Sequence, residues 1–319
     1  MGEAAAETID ALNERILALK KQRNAVILAH NYQVDEVQEI ADYTGDSLEL
    51  SRLAVDADGE VIVFCGVHFM AESAAILSPH KTVLLPVSYA GCPMADMVTP
   101  EKLRAMKAEY PGVPVVAYVN TTAAVKAESD ICCTSANVVS VVQSLKTDRV
   151  IAVPDKNLAA YAQQFTETEI IPWKGFCIVH NLLTVDMVNK SKDQHPDALF
   201  LAHPECSMEV LKLADHVTST SGMLRYAKAS DAAEFIIGTE RGLLYNLRKQ
   251  NPKKTFHMVT DEPAPWDLPM MTCQNMKRTR LEHVAQALEN METVITVPEH
   301  IRLRAKATLD RMLAIPGGK

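Results

Sequence analysis

The residues best suited to acid-base chemistry in this 319-residue chain form three pairs with the same spacing. Each pair follows an apolar run and places polar side chains at positions i and i+2, where they leave a strand on the same side. The pairs are His30 with Tyr32, Tyr118 with Asn120, and His203 with Glu205. Imidazole and carboxylate groups move protons near neutral pH, and a phenol does so if its surroundings lower a pKa that is ordinarily about 10. The spacing therefore predicts one site that draws proton-transfer groups from three parts of the chain.

Three cysteines, each near the end of one of three similar stretches, form a second candidate group. They are Cys92, Cys177 and Cys273. Three thiolates suit either a zinc ion with one water or an iron-sulfur cluster with one open iron, which is a Lewis acid able to draw hydroxide from a substrate. The other four cysteines are expected in the core, where free cysteine is commonly buried. They are Cys65, Cys132, Cys133 and Cys206. With seven cysteines and no Cys-x-x-Cys pair, the chain fits neither a disulfide framework nor a zinc ribbon.

One register recurs three times along the chain. Counting from His30, Tyr118 and His203, an aspartate follows at the twelfth position and a hydroxyl at the seventeenth. The aspartates are Asp42, Asp130 and Asp215, and the hydroxyls are Ser47, Ser135 and Thr220. We expect these hydroxyls where helices begin, and three converging helix amino termini would bind a small polyanion without any lysine. The alternative that they are ordinary N-caps of helices stays open.

The elements that must position these residues alternate between strand and helix in each of the three similar stretches, which we call units. This alternation predicts right-handed crossovers and parallel sheets. Strands are expected near 25–29, 61–65, 82–87, 114–119, 149–153, 169–172, 198–202, 234–237 and 255–259. Helices are expected near 6–22, 35–43, 47–56, 69–77, 136–146, 156–165 and 299–314. Because ligands bind at the carboxyl ends of strands in such sheets, the polar pairs are expected to face one cavity.

The predicted fold is therefore α/β, with three homologous three-layer αβα domains that contain parallel sheets and surround a pseudo-threefold axis. Residues 1–112 would form the first repeat with an N-terminal cap helix. Residues 113–196 would form the second, and residues 197–319 the third together with a C-terminal closing helix.

Composition narrows the class of partner. Hydrophobic residues make up 48% and aromatic residues 5% of the chain, as in helix-covered parallel sheets filled by aliphatic side chains. A net charge of −8 argues against nucleic acid or a membrane surface as a partner. The first residues lack the charged and apolar regions of a signal peptide, and no apolar run approaches the about 20 residues of a membrane span. The cytoplasm is the expected location.

Seven short segments resemble, in order and spacing, the signature segments of the quinolinate synthase family of bacterial NAD biosynthesis. They are residues 30–33, 46–49, 118–121, 154–157, 175–180, 203–206 and 219–221. The resemblance covers nearly the whole chain and implies three αβα domains with a 4Fe-4S cluster bound by Cys92, Cys177 and Cys273. It also implies the condensation of iminosuccinate with dihydroxyacetone phosphate to quinolinate, with the open iron assisting dehydration. Some family members have a Cys-x-x-Cys-x-x-Cys segment at the third ligand; residues 270–276 have only Cys273, so a disulfide switch is not expected here.

The resemblance also implies the site residues. Catalysis is expected from Glu205, His203, Tyr118 and Tyr32. Substrate binding is expected from His30, Ser47, Tyr118, Val119, Asn120, Ser135, His180, His203, Pro204, Glu205, Ser219 and Thr220. Within this set, Glu205 and His203 are expected to transfer protons and Asn120 to orient a carboxylate. His180 either lines the cluster pocket or only forms a hydrogen bond near it.

Two other functions remain open at this point. An iron-sulfur hydro-lyase acting on a citrate-like acid would use the same open iron but would need no phosphate site. A cluster-based redox sensor would require a partner-binding or nucleic-acid-binding segment, and no basic helix supports one. The expected partners are the two small substrates, with a transient contact to the aspartate-oxidising enzyme that supplies iminosuccinate, and no nucleic acid or membrane.

Overall fold

Three parallel sheets of four strands, all with the same strand order, organise the molecule. The structure is a computed structural model and describes residues 8–265 and 268–315. In each sheet the first strand lies between the second and the third, and the fourth pairs with the third. This topology confirms the predicted α/β class with repeated parallel sheets. The domain boundaries after residues 112 and 196 stay predictions.

The first sheet contains strands that are buried on both faces, as expected when helices cover a parallel sheet. Its strands are β1 (Ala25–His30), β2 (Tyr43–Gly45), β3 (Val61–Cys65) and β4 (Thr82–Leu84). The helices of this part of the chain are α1 (Ile9–Gln22), α2 (Asp35–Ile40), α3 (Ser47–Asp56), α4 (His68–Leu77) and α5 (Pro100–Glu109). The predicted cap helix is confirmed as α1, and its predicted start at residues 6 and 7 lies outside the described residues.

The second and third sheets repeat this pattern. The second contains β5 (Val115–Tyr118), β6 (Ile131–Cys133), β7 (Arg149–Val153) and β8 (Glu169–Pro172), with helices α6 (Ala123–Ala127), α7 (Val138–Ser144), α8 (Lys156–Gln163) and α9 (Val185–Gln194). The third contains β9 (Leu199–Ala202), β10 (His216–Val217), β11 (Glu234–Gly238) and β12 (Thr255–Met258), with helices α10 (Met208–Leu211), α11 (Thr220–Ala229) and α12 (Leu243–Gln250). The chain continues into α13 (Leu281–Asn290) and α14 (Glu299–Leu313).

The aspartates at the twelfth position have a structural role. The Asp42 carboxylate accepts a hydrogen bond from the Ile27 amide at 2.8 Å, and the Asp42 amide donates back to the Ile27 carbonyl at 3.0 Å. Asp130 forms the same pair with Val115, and Asp215 with Phe200. Each aspartate thus fastens the chain to the first strand of its sheet just before the short second strand begins. For this reason helix α2 ends at Ile40, whereas the sequence predicted a helix to residue 43.

The last two helices pack away from the third sheet. Apolar residues of α13 pack with α1 over one face of the first sheet, in a core cluster that includes Leu12, Ile27 and Val284. Helix α14 contacts α4, α6 and β6, and its Leu309 belongs to the core shared by the first and second sheets. The third sheet has a core of its own that includes Phe200. None of the helices in the described segments has the length and apolar character that crossing a bilayer requires.

Candidate active site

The carboxyl ends of the three sheets face one cavity of about 170 Å³. Most of the expected site residues line it: His30, Tyr32, Ser47, Cys92, Tyr118, Asn120, Ser135, Cys177, His180, His203, Glu205, Thr220 and Cys273. No lysine or arginine is among the described residues that line it. The cavity therefore brings together side chains that are far apart in the sequence, and any anionic ligand there must be held by neutral donors or by a bound metal group.

Three expected residues lie outside the cavity lining. Val119 is buried, and its amide donates to the Cys133 carbonyl at 2.9 Å. Pro204 is also buried. Ser219 is the N-cap of α11 and donates a hydrogen bond to Asp46 at 3.2 Å. In this arrangement all three shape the walls rather than face the cavity.

Glu205 is the centre of the hydrogen-bond network in the cavity. One carboxylate oxygen lies 2.7 Å from Nδ1 of His180, and the other accepts a hydrogen bond from the Tyr118 hydroxyl at 2.6 Å. Burial alone would raise the pKa of this carboxyl, but the imidazoles of His203 and His180 and the hydrogen bonds from His180 and Tyr118 together lower it below its ordinary value. Glu205 is therefore a carboxylate at neutral pH, surrounded by groups that donate to it.

A neighbouring carboxyl, Asp155, behaves in the opposite way. It caps α8 by accepting hydrogen bonds from the amides of Asn157 and Leu158. Burial and the negative charge of Glu205 raise its pKa to about 8. Of the two buried carboxyls, Glu205 therefore keeps the negative charge of this part of the site.

The network continues through Thr239 to a second tyrosine. Nε2 of His180 lies 2.9 Å from the Thr239 hydroxyl, which lies 2.6 Å from the Tyr32 hydroxyl. This series of hydrogen bonds is satisfied when the His180 ring carries its proton on Nδ1, because the ring then donates to Glu205 and accepts from Thr239. His180 thus does more than line the cavity, since it connects Glu205 to Tyr32.

His30 and His203 have the same local geometry. Nδ1 of His30 accepts a hydrogen bond from the Tyr32 amide at 3.1 Å, and Nδ1 of His203 accepts one from the Glu205 amide at 3.3 Å. Burial lowers the pKa of each ring to about 3, so both are neutral near pH 7. With Nδ1 used as an acceptor, each ring carries its proton on Nε2. Both histidines are therefore neutral hydrogen-bond donors for a ligand and not positive charges.

The hydroxyls at the seventeenth position are not N-caps. Helix α3 is capped by Asp46 and helix α11 by Ser219, so Ser47 and Thr220 occupy the first turn of their helices. Ser135 lies in the turn before α7, so the prediction that it begins a helix was wrong. The Thr134 amide donates to the Asn137 side chain and closes this turn, and the helix begins only after Asn137. The cavity therefore meets two helix amino termini and one turn.

Asn120 presents an unsatisfied group to the cavity. Its Oδ1 is buried and has no hydrogen-bond partner among the described residues. The loop that carries it is fixed from behind by the fully buried Lys126, whose ammonium group donates to the carbonyls of Val119 and Thr121. A buried acceptor without a donor is costly, so this position favours a ligand that carries an N–H or O–H group.

Cys92, Cys177 and Cys273 line the same cavity, whereas the other four cysteines are fully buried in the cores. Among the described residues, the sets of three potential ligands whose donor atoms all lie within 4.8 Å are Cys177–His180–Glu205 and His195–Glu234–His257, so the three cysteines do not form such a set. Three thiolates on one tetrahedral zinc ion, with Zn–S bonds of about 2.3 Å, would lie closer together. At least two of the three sulfur atoms are thus more than 4.8 Å apart. This separation suits a group with several metal atoms, each bound by one thiolate. Of the two groups that the sequence left open, the donor set therefore fits an iron-sulfur cluster.

Burial raises the pKa of the Cys92 thiol to about 12 and that of the Cys273 thiol to about 11. The pKa of Cys177 is raised for the same reason, with a further contribution from Glu205. A metal group held by these residues must therefore displace three protons.

Several residues that contact the site were not expected from the sequence. Thr239, Glu240 and Lys277 connect the third sheet to the loop that carries Tyr32. The apolar run of residues 235–238 ends directly before Thr239 and Glu240, as the first strands end at the polar pairs, and this signal could have identified both. For Lys277 the sequence offers no comparable signal.

Comparison with known proteins gives one consistent result. A family model described as "Quinolinate synthetase A protein" (NadA) matches residues 14–314. A quinolinate synthase of Methanoregula boonei is 57% identical over 304 residues, which are 95% of this chain and 98% of that protein. A quinolinate synthase of Geobacter sp. strain M21 is 57% identical over 309 residues, which are 97% of this chain and 99% of that protein. Because the family model and these relatives each cover nearly the whole chain, this protein belongs to the quinolinate synthetase A protein family.

Proposed function

We propose that this enzyme of NAD biosynthesis condenses iminosuccinate with dihydroxyacetone phosphate to give quinolinate, phosphate and two molecules of water. The observation that supports this reaction best is the Glu205 network, which stands beside three cysteines in one cavity. Family membership favours it over a hydro-lyase or a redox sensor, because the curated relatives are named quinolinate synthases.

We propose that Cys92, Cys177 and Cys273 bind a 4Fe-4S cluster. The spacing of the three thiols, one from each unit of the chain, supports this group over a single zinc ion. When bound, the cluster supplies Lewis acidity at the iron that lacks a cysteine, and this acidity favours loss of hydroxyl groups.

The anionic groups of both substrates would be held by neutral donors. Ser47 and Thr220 stand in the first turns of α3 and α11, where free amide groups and the helix dipole favour carboxylate and phosphate oxygens. The Nε2–H groups of His30 and His203 add two donors. Asn120, with its unsatisfied Oδ1, would accept a hydrogen bond from the imine N–H or a substrate hydroxyl.

Proton transfer would centre on Glu205. Its carboxylate accepts a proton from a carbon next to a carbonyl or imine, and Tyr118 and His180 stabilise it before the transfer. Burial and the nearby Glu205 raise the pKa of Tyr118 and Tyr32, so both phenols stay protonated, are not bases, and can give a proton only to a strongly basic group such as a developing alkoxide. We expect Tyr118 to donate to a developing alkoxide and Tyr32 to return a proton through Thr239.

Closure of the cavity would protect the substrates. Imines hydrolyse in water, and the buried side chains around Glu205 exclude it. For the same reason we propose that iminosuccinate arrives through a transient contact with the enzyme that oxidises aspartate.

An anaerobic assay tests the proposed reaction. Protein reconstituted with iron and sulfide is incubated with dihydroxyacetone phosphate and with iminosuccinate that is generated in the reaction mixture. Quinolinate and phosphate are measured in the same samples. We expect both products in equal amounts, at a rate that depends on cluster content. Phosphate release without quinolinate, or quinolinate formation by cluster-free protein, would show that the proposed reaction is wrong.

A further inference from the structure

Glu240 is a buried carboxylate beside the third cysteine, with three partners. It accepts hydrogen bonds from the Cys273 amide at 3.0 Å and from the Gly242 amide at 2.6 Å, and it pairs with the Lys277 ammonium group at 2.9 Å. Its exposed fraction is 0%. An ionised carboxylate is retained in such a place only when its partners compensate for lost hydration. The position of Glu240 is therefore fixed, and it fixes the backbone of Cys273 in turn.

Lys277 extends this arrangement to the first unit of the chain. Its ammonium group donates to the Tyr32 carbonyl and, at 3.5 Å, to the Gln33 carbonyl. Its own amide donates to the Cys273 carbonyl at 3.2 Å, which closes the turn that follows the cysteine. One lysine thus contacts both the segment of the third cysteine and the loop that carries Tyr32.

The packing leaves no room for adjustment at the centre of these contacts. A Cβ atom added at Gly242 would lie 2.7 Å from Nζ of Lys277 and 2.8 Å from the Gln33 carbonyl oxygen. Glycine is therefore required where the Tyr32–Gln33 loop approaches the third unit. The same approach is stabilised by Gln38, whose side-chain amide donates to the carbonyls of Gln33 and Gly242, both at 2.9 Å.

We propose that Glu240 and Lys277 are positioning residues, which hold the Cys273 backbone and the Tyr32–Gln33 loop in one rigid unit. The Cys273 thiol and the Tyr32 side chain are then held in a fixed position relative to each other, although they lie near opposite ends of the chain. The proposal depends on the proposed function only in treating Cys273 as a ligand of the cluster. Loss of either charge would free the Cys273 segment while leaving Cys92 and Cys177 in place.

Reactivity of individual thiols tests this proposal in the full-length, metal-free chain. Lys277→Met removes the ammonium group, and Glu240→Gln keeps the shape but replaces one acceptor with an N–H group that faces the Gly242 amide. Lys254→Met is the matched control, because Lys254 also donates to two backbone carbonyls of the third unit, those of Ala227 and Ser230. Each protein is treated with iodoacetamide, and alkylation is followed at every cysteine by peptide mass spectrometry.

In both test variants we expect alkylation of Cys273 to be faster by about tenfold, the effect of losing one hydrogen bond to a charged group. The rates at Cys92 and Cys177 should stay as in the unaltered chain, and Lys254→Met should change none of the three. Lys277→Arg, which retains the charge, should restore slow alkylation. Equal acceleration at all three cysteines, or none at Cys273 in Glu240→Gln, would overturn the positioning role.

A second measurement separates this inference from the proposed function. In reconstituted protein, iron loss to a chelator should be faster in Lys277→Met than in Lys254→Met. If no variant binds iron but alkylation of Cys273 is selectively faster, the cluster assignment fails and the positioning role stands. If iron binds and alkylation is unchanged, only the positioning role fails.

Discussion

Two tyrosines from different units of the chain meet one carboxylate through an unbroken series of hydrogen bonds. Tyr118 contacts Glu205 directly, and Tyr32 reaches it through Thr239 and His180. Burial raises the pKa of both phenols, so neither ionises at neutral pH, and the negative charge of this series lies on Glu205. At the residue scale, the site is therefore one base surrounded by donors.

The first prediction distinguishes the base from the binding groups. Glu205→Gln preserves shape but removes the base, so we expect kcat to fall by at least about 100-fold with little change in KM. Thr220→Ala should mainly raise KM, because a lost hydrogen bond to a charged group costs about 1.5–3 kcal/mol. Steady-state kinetics under anaerobic conditions measures both, and similar losses of affinity in both variants would contradict this division of roles.

The second prediction concerns the metal group. Cys92→Ala, Cys177→Ala and Cys273→Ala should each abolish quinolinate formation and lower bound iron from roughly four atoms per chain. Cys132→Ala is the control, since this fully buried cysteine contacts Thr308 in the core and not the cavity. Iron and sulfide analysis after reconstitution measures the effect. Retention of the cluster in Cys177→Ala would show that the ligand assignment is wrong.

The third prediction follows from the neutral histidines. Burial lowers the pKa of His30 and His203 from 6.5 to about 3, so between these values the unfolded chain binds protons that the folded chain does not. Stability should therefore fall as pH falls below 6.5, by up to about 1.4 kcal/mol per pH unit for each histidine. Thermal unfolding midpoints from pH 7.5 to 5.5 should fall less steeply in His30→Gln and His203→Gln than in the unaltered chain. Parallel curves would contradict the neutral state of these rings.

The sequence indicated most of these residues because the strand ends repeat. His30, Tyr118 and His203 occur in one register, and all three line the cavity. Lys277 could not be predicted in this way, because the groups that it contacts in the Tyr32–Gln33 loop are backbone carbonyls far away in the chain. A backbone carbonyl leaves no trace in the residue types of a sequence.

At the scale of elements, the second strand of each sheet depends on one aspartate. These strands contain three, three and two residues, which is too short for a visible pattern of hydrophobicity. The spacing of Asp42, Asp130 and Asp215 recurs in the sequence, but the residues after them show no pattern that predicts a strand. The reason is that their hydrogen bonds to the first strands are tertiary contacts.

The fourth prediction tests this role at Asp130. Asp130→Ala removes the acceptor for the Val115 amide at 2.7 Å, so we expect a loss of about 1–2 kcal/mol in the free energy of unfolding. Asp148→Ala, an exposed position of the same part of the chain, should change stability by less than about 0.5 kcal/mol. Urea unfolding followed by circular dichroism compares the two variants, and equal stabilities would contradict the structural role.

At the scale of the molecule, the third unit meets the first through polar groups. The Asn246 side chain donates to Asn31 at 3.1 Å and to Gln38 at 2.8 Å, and Ser219 bonds Asp46 across the same interface. The first and second units instead share one apolar core. A polar interface separates more readily than a shared apolar core. The third unit is therefore the part expected to move when ligands enter, by turning about the fixed contact of Lys277 with the Tyr32–Gln33 loop.

The fifth prediction concerns the segments that become protected when the third unit moves on ligand binding. Binding of a quinolinate-like dicarboxylate to cluster-loaded protein should slow amide hydrogen exchange at the strand ends of all three sheets and at residues 111–113 and 193–197. Mass spectrometry with and without the ligand measures this protection. Protection restricted to one unit would contradict a cavity shared by three.

The position of α13 and α14 also has a consequence for synthesis of the protein on the ribosome. The first sheet is made early, but one of its faces is covered by α13, and the core that it shares with the second sheet is completed by α14. Apolar residues of the earliest strands, such as Ile27 and Val63, therefore have only the cover of α1, and lack that of α13, until almost the whole chain has been translated. Nascent chains that end before Leu281 should be bound by chaperones or degraded rather than accumulate as folded first and second units.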